Sequence, residues 1–264
     1  TGDFGAETQS ADIVLPGIEV DPFEAKSYDA SLEWYNREGS AITFAVFKKD
    51  ISNFITTMGI CSNAALEQAG FSSLVGTISE VNNACVASGV DGSLNAGSEV
   101  SITQVQNIGN DISVDGLEIS IQQNLDFLPA PWNGFGGILN YSRTSQDSDA
   151  DNDVKVTGIS DDTFNAIAYF EQDNYGLRLS YNYRSDYELE SVGTFNGAGN
   201  KSVKAAGRLD FSAYYKLSKQ TKINFKGYNL TESLYEEYES VEWQPRATHF
   251  DGRTFVVSIQ HSFF

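Results

Sequence analysis

At 264 residues, with 41% hydrophobic and 12% aromatic side chains, the chain can hold one large all-β unit, and its 13 Tyr and 17 Phe against one Met suit pleated surfaces. Its 36 acidic against 17 basic residues, a net charge of −19, exclude a nucleic-acid binder, which needs clustered Lys and Arg to neutralise phosphates. No run of about 18 apolar residues occurs, which excludes a membrane-spanning helix but not a transmembrane barrel, whose strands of about 10 residues merely alternate in polarity.

The opening TGDFGAETQS has neither the charged nor the apolar stretch of a signal peptide, so the sequence reads as mature, trimmed or part of something longer. Tyr28, Ala30, Leu32 and Trp34 alternate with Asp29, Ser31, Glu33 and Tyr35, and Ile42, Phe44 and Val46 follow after the turn NREGS (36–40); the two runs predict a hairpin. Residues 57–100 read as a long polar segment containing Cys61 and Cys85. His249 and His261 are the only histidines and both are remote, so a disulfide across a loop of about 25 residues, formed in an oxidising compartment and contributing about 3 kcal/mol, is expected rather than a metal site.

Residues 98–126 predict one long strand kinked near NIGN, in which Leu117, Ile119 and Ile121 alternate with Glu118, Ser120 and Gln122. The segment LPAPWNGFG (128–136) turns the chain, because its prolines and glycines bar both helix and ladder. Further strands are expected over 135–143, 164–170, 177–184, 208–217, 221–228 and the closing GRTFVVSIQHSFF (252–264). In 177–184, Leu177, Leu179, Tyr181 and Tyr183 share one face and Arg178, Ser180, Asn182 and Arg184 the other.

Short turns at 36–40, 128–134, 173–176 and 218–221 alternate with long polar segments at 57–100, 145–161, 188–203 and 230–251. An antiparallel meander of nine crossings therefore has tight turns at one rim and large loops at the other, the asymmetry of outer-membrane barrels. The competing classes are a soluble extracellular β-sandwich that binds carbohydrate, in which the apolar faces bury against a second sheet, and a small autonomous porin.

KSYDASLEWYNREGSAITFAVFKKDISNFI (26–55), DGLEISIQQNLDFLPAPWNGFGGILNYSRTSQDSD (115–149), FKGYNLTESLYEEYE (225–239) and the closing strand together resemble the C-terminal part of TonB-dependent outer-membrane receptors. The resemblance implies an all-β fold: an antiparallel transmembrane β-barrel meander, nine strands of a 22-stranded barrel, with short periplasmic turns, long extracellular loops and a periplasmic C-terminus. It implies further partners: the plug and remaining barrel portion, the TonB complex acting through the plug, outer-membrane lipid and lipopolysaccharide, a surface lipoprotein, and a small-molecule cargo such as an oligosaccharide or ferric siderophore. Residues 1–264 then form one barrel segment that pairs with the rest of a longer polypeptide or with a second chain. The terminal aromatic that barrel-insertion machinery reads corresponds to Phe263 by phase, with Phe264 one residue beyond.

On this reading Arg178, Asn182, Arg184, Asp210 and Lys226 face the lumen. Tyr235, Tyr238, Trp243, Arg246 and His249 gather in the last long loop, where aromatic faces with a few polar groups suit a small-molecule ligand. Asp147, Asp149, Asp151 and Asp153 alternate in an outer loop and offer oxygen ligands to Ca²⁺, without the glycine and terminal glutamate of an EF-hand; no other cofactor is expected. His249 with Asp251 lacks a nucleophile at any useful spacing, so no enzymatic site is expected.

Overall fold

The computed structural model describes residues 10–17, 19–82, 84–89, 94–107, 111–148, 155–190 and 201–263. In chain order, β1 (Ser10–Leu15) precedes the hairpin of β2 (Glu24–Arg37) and β3 (Ser40–Ser52). A compact excursion follows, with β4 (Ile55–Gly59), α1 (Asn63–Gln68), α2 (Ser72–Val75), β5 (Ile78–Val81), β6 (Ala84–Ala87) and β7 (Glu99–Asn107). The meander resumes with β8 (Ile112–Asn124), β9 (Phe135–Ser148), β10 (Asp162–Glu171) and β11 (Tyr175–Arg184). After β12 (Tyr187–Glu190) and β13 (Lys201–Val203) come β14 (Ala206–Lys216) and β15 (Thr221–Tyr228), then β16 (Tyr235–Glu239), β17 (Val241–His249) and β18 (Thr254–His261).

Nine of these strands form one antiparallel sheet in the order β18-β15-β14-β11-β10-β9-β8-β3-β2. Its register separates two faces along every strand. One carries Leu32, Phe44, Ile119, Leu139, Ala166, Tyr181, Leu209 and their alternates; the other carries Glu33, Thr43, Ser120, Asn140, Asn165, Asn182 and Arg208, aligned rung against rung. On β11 the apolar face runs from Tyr175 to Tyr183, about 26 Å at ~3.3 Å per residue. Charge returns to that face only toward the long-loop end, where Asp162 opposes Arg143 and Asp115 opposes Lys48.

The polar row also reveals the strand tilt. Counted from the short-turn end of each strand, Arg208 stands eight residues in, Asn182 seven, Asn165 six, Asn140 five, Ser120 four and Thr43 three. A slip of one residue per strand, ~3.3 Å along for ~4.8 Å across, corresponds to strands inclined by about 35°. That is the incline of an outer-membrane barrel wall, and it reduces the apolar stripe of β11 to a band about 22 Å tall, near the ~25 Å of such barrels.

Aromatic rings on the polar face lie over glycines of the neighbouring strand. Tyr169 opposes Gly136 and Tyr214 opposes Gly176, and a Cβ at either glycine would collide with the ring, so only glycine leaves room for the rings to lie flat across the ladder. At the short-turn rim Trp132, Phe135, Phe170 and Tyr175 form a continuous chain of rings 4.5–5.8 Å apart.

Two expectations are corrected here. Residues 57–100 are not a featureless polar loop: β1, β4, β5, β6 and β7 build a separate five-stranded sheet. With the two short helices it encloses the largest buried cluster among the described residues, including Ile13, Leu66, Val75, Ile102 and Cys85. Residues 98–126 are not one kinked strand either, because β7 belongs to this lobe and β8 to the nine-stranded sheet. β1 runs parallel to β7 and so ties the beginning of the described chain into the lobe. Cys61 and Cys85 are bonded to each other, with Cα atoms 5.6 Å apart.

Candidate functional site

Among the concave regions lined by the sheet and its long-loop rim, two gather residues singled out by the sequence. The first is a groove of about 500 Å³ on the polar face, spanning β3 to β11 and bounded by Thr43, Glu118, Ser120, Asn140, Asn165 and Asn182. The second is a cleft of about 260 Å³ at the rim, bounded by Gln146, Asp161, Asp186, Tyr187, Ser202 and Tyr238. The segment 155–161 borders the rim cleft through Lys155, Val156, Ile159 and Asp161, and β12, β13, β16 and β17 form a four-stranded sheet beside it.

The register places Arg178, Asn182, Arg184, Asp210 and Lys226 together on the polar face of the large sheet. Their surroundings differ. Arg178 stacks over Tyr169 at 5.8 Å, and Asn182 accepts a hydrogen bond from the Asn165 amide. Asp210 accepts from Arg208 Nε at 3.0 Å and from the Asn229 backbone N–H at 2.7 Å. Asn229 is itself buried and clamps the Ser233 backbone, accepting from its N–H at 2.8 Å and donating to its carbonyl at 3.1 Å.

Arg184 has a role that periodicity alone could not reveal. Its Nε donates to Ser160 Oγ at 2.6 Å, another guanidinium nitrogen donates to the Gly158 carbonyl, and the plane stacks on Tyr187 at 3.7 Å. Gln146 holds the same segment from β9, accepting from Val156 N at 2.9 Å and donating to its carbonyl at 3.3 Å. Val156 and Ile159 pack with Phe47, Ile51, Phe54 and Met58 against buried Ile112 and Val114. Segment 155–161 is thus a strap fastened across the long-loop end of the polar face. Arg184→Ala is expected to increase the rate of limited proteolysis within 155–161 at least severalfold, and Arg184→Lys to restore little, because an ammonium lacks the fork that reaches two acceptors; cleavage-site mapping by mass spectrometry checks this.

Of the last-loop residues, Tyr235 and His249 face each other across the β16–β17 ladder with rings 5.5 Å apart. Tyr238 opposes Pro245 and borders the rim cleft; Arg246 falls in the register shift, and Trp243 points outward at 81% exposure. The five therefore do not converge on one point. Burial, with a hydrogen bond to the Glu237 carboxylate at 3.0 Å, pushes the Tyr235 phenol up to about 12. The fold thus favours the protonated phenol, and this stabilisation is complete below pH 10 and lost as pH rises toward 12. The difference in 295 nm absorbance between wild type and Tyr235→Phe is expected to titrate near pH 12 instead of 10.

Asp147 is exposed on β9 opposite Ser113, while Asp149, Asp151 and Asp153 lie outside the described residues. Among the described residues, no group of three or more His, Cys, Asp or Glu side chains is placed to hold a metal ion. Phe263 follows β18, edge-on to His261 at 4.7 Å and 81% exposed; Phe264 lies outside the described residues.

Residues 4–230 match the family described as TonB dependent receptor-like, beta-barrel. The chain belongs to this family. A TonB-dependent receptor barrel is an outer-membrane protein, of a receptor and transport class and not an enzyme class. No curated protein matches the chain. Among solved structures it is similar to the ferric enterobactin receptor PfeA of Pseudomonas aeruginosa in complex with enterobactin, with 16% identity, TM-score 0.58, and 92% of this chain aligned to 32% of that one. It is similar also to the ferripyoverdine receptor of the outer membrane of Pseudomonas aeruginosa, at 12% identity and TM-score 0.57, with 92% of this chain on 27% of that one. A third likeness is to the receptor in the FpvAI–pyocin S2 complex, at 12% identity, TM-score 0.58, and coverage of 92% and 28%. These identities speak for the fold alone, and the chain spans about a third or less of each receptor's length.

Proposed function

We propose that this chain is the wall segment of an outer-membrane active transporter that captures a scarce small molecule at its long-loop rim and admits it with TonB-relayed energy. The observation that carries this reading is the two-faced alternation of the nine-stranded sheet, with its central strands at barrel incline, in a chain that belongs to a receptor-barrel family. In this reading β2 and β18, which end the described sheet, pair with further strands of a closed barrel, since an open edge in lipid leaves backbone groups unsatisfied at several kcal/mol each. The polar face borders a plug through which TonB acts, and the rim carries the lobe, the strap and the four-stranded sheet outside the cell. Long acidic loops there suit contact with lipopolysaccharide through divalent ions, or with a surface lipoprotein.

The test is uptake by cells carrying the full receptor, with and without TonB, together with behaviour of the purified protein. Uptake is expected to stop without TonB, and the protein to aggregate once detergent is removed. TonB-independent uptake, or a monodisperse protein in plain buffer, overturns the reading.

A further inference from the structure

We propose that the outer edge of β1 is a docking site for an extended, basic segment of a partner protein, which adds to the five-stranded lobe as a further strand. The inference concerns the lobe alone and stands apart from the transport reading.

The lobe is inserted between β3 and β8 at the long-loop rim, and β1 is one end of its sheet. Other sheet ends at this rim are guarded. On β5, the Asn63 amide donates to the Ile78 carbonyl at 2.9 Å and accepts from the Ile78 N–H at 2.8 Å, so a side chain stands where a neighbouring strand would. On β12, the Gly158 N–H of the strap donates to the Glu188 carbonyl at 2.7 Å, and the ladder shifts register beside it. β17 carries Pro245, which cannot donate to a ladder, and two register shifts. β1 has none of these devices. Its six residues SADIVL include no Pro, Gly or Lys, run in unbroken register with β7, and among the described residues their backbone bonds only to that strand. In a parallel pair alternate residues aim their N–H and C=O away from the partner, so a row of unpaired groups remains on the far side. Ile13 and Leu15 anchor the strand in the lobe core, while Val14 on its other face is 72% exposed.

Charge and shape select the occupant. Residues 10–23 hold three acids and residues 53–107 four, and neither range contains a Lys, Arg or His. A strand bearing acids meets like charge on this lobe, whereas one bearing Lys or Arg is drawn to it. Asp12 is exposed in the middle of β1 on the same face as Val14, where a base on the facing rung pairs with it. On the opposite face a cleft of about 530 Å³ opens where β1 ends, bounded by Leu15, Pro16 and Gly17 and by Ala64, Gln68 and Ala69 of the α1 segment. Residues facing one another in a ladder share a side of the sheet. The residue that pairs with Leu15 therefore directs its side chain toward this cleft, whose alanines leave room for an aliphatic group. The fitting segment alternates basic and aliphatic residues, the means by which an added strand combines main-chain affinity with side-chain selection.

The test uses the full receptor in detergent and a capped peptide of six residues, the length of β1, alternating Lys and Val. Isothermal titration is expected to show saturable binding with a Kd of about 100 μM or tighter, and the peptide is expected to slow hydrogen exchange at β1 amides severalfold. The same peptide with consecutive central amides N-methylated, which blocks both of its edges, is expected to bind about tenfold more weakly, as is a counterpart with Glu in place of Lys. Asp12→Lys, which sets a cation on the edge, is expected to weaken binding about tenfold, and Ala64→Trp, which fills the cleft from an exposed position, about fivefold. Glu80→Lys, the same charge change on guarded β5, is expected to alter Kd less than about threefold. Should Asp12→Lys fail to fold, the peptide comparison on the wild-type receptor decides. The proposal is overturned if the Lys–Val peptide does not bind, or if its N-methylated form binds equally well, since charge then acts without a ladder. Equal losses for Glu80→Lys and Asp12→Lys overturn it for the same reason. It is overturned also if every β1 amide of the monomeric receptor is protected without peptide, since another segment of the receptor then covers the edge, or if protection comes only with dimerisation, since a second copy is then the occupant. Uptake enters none of these readouts, so their failure leaves the transport reading intact.

Discussion

Leu179→Arg is expected to destabilise the membrane-folded receptor by about 2–4 kcal/mol, against a change within about 1 kcal/mol for the adjacent Ser180→Arg. The two positions share a strand and differ only in face. Leu179 opposes Ala168 and Phe211 on the apolar side, at the middle of the β11 stripe, and is 41% exposed. Ser180 opposes Ile167 and Asp210 on the polar side, where a guanidinium meets acceptors and water instead of lipid. In a water-soluble sheet the ordering would shrink, because a half-exposed arginine keeps its hydration by extending its charged head into solvent. Urea titration of the receptor refolded into phospholipid vesicles measures both variants. Equal losses at the two positions would falsify the assignment of the apolar face to lipid.

Replacing Cys61 and Cys85 by serine is expected to cost the five-stranded lobe about 3 kcal/mol while leaving the nine-stranded sheet intact. The bond closes a loop of 24 residues in sequence separation, and releasing it returns loop entropy to the open state of the lobe. Cys85 is also part of the lobe's core, beside Leu66, Val75 and Ile102. The strands at β4, β5 and β6 have only four or five residues each, so the bond adds to a core and to short ladders that alone hold that segment. Hydrogen exchange resolves the two units. Amides of β5 to β7 are expected to exchange roughly a hundredfold faster in the double variant, as about 3 kcal/mol of local opening free energy requires, and those of β9 to β11 at the wild-type rate. Uniform loss across the chain would mean that lobe and sheet unfold together.

The nine crossings were legible because each is long enough for alternation to show: β11 displays four apolar and four polar residues in unbroken order between Leu177 and Arg184. The lobe was hidden for the opposite reason. β5 and β6 have four residues each, and the core draws only Ile78 from the first and Cys85 and Ala87 from the second, so neither piece is long enough for a periodic window to reveal it. The break between β7 and β8 leaves no mark in the sequence because both halves alternate, and only pairing partners show that they serve different sheets. The same limit applies to sites. Face assignment of Arg178, Asn182, Asp210 and Lys226 follows from period two, but the Arg184 clamp and the slanted row depend on which strands are neighbours and on their offset. Residue type gave no local signal for either.

Tyr169 and Tyr214, laid flat over Gly136 and Gly176, have a mechanical consequence. Upright rings would stand from the sheet as fins; reclined, they tile it, and a larger residue at either glycine would force the ring up and roughen the polar face at that rung.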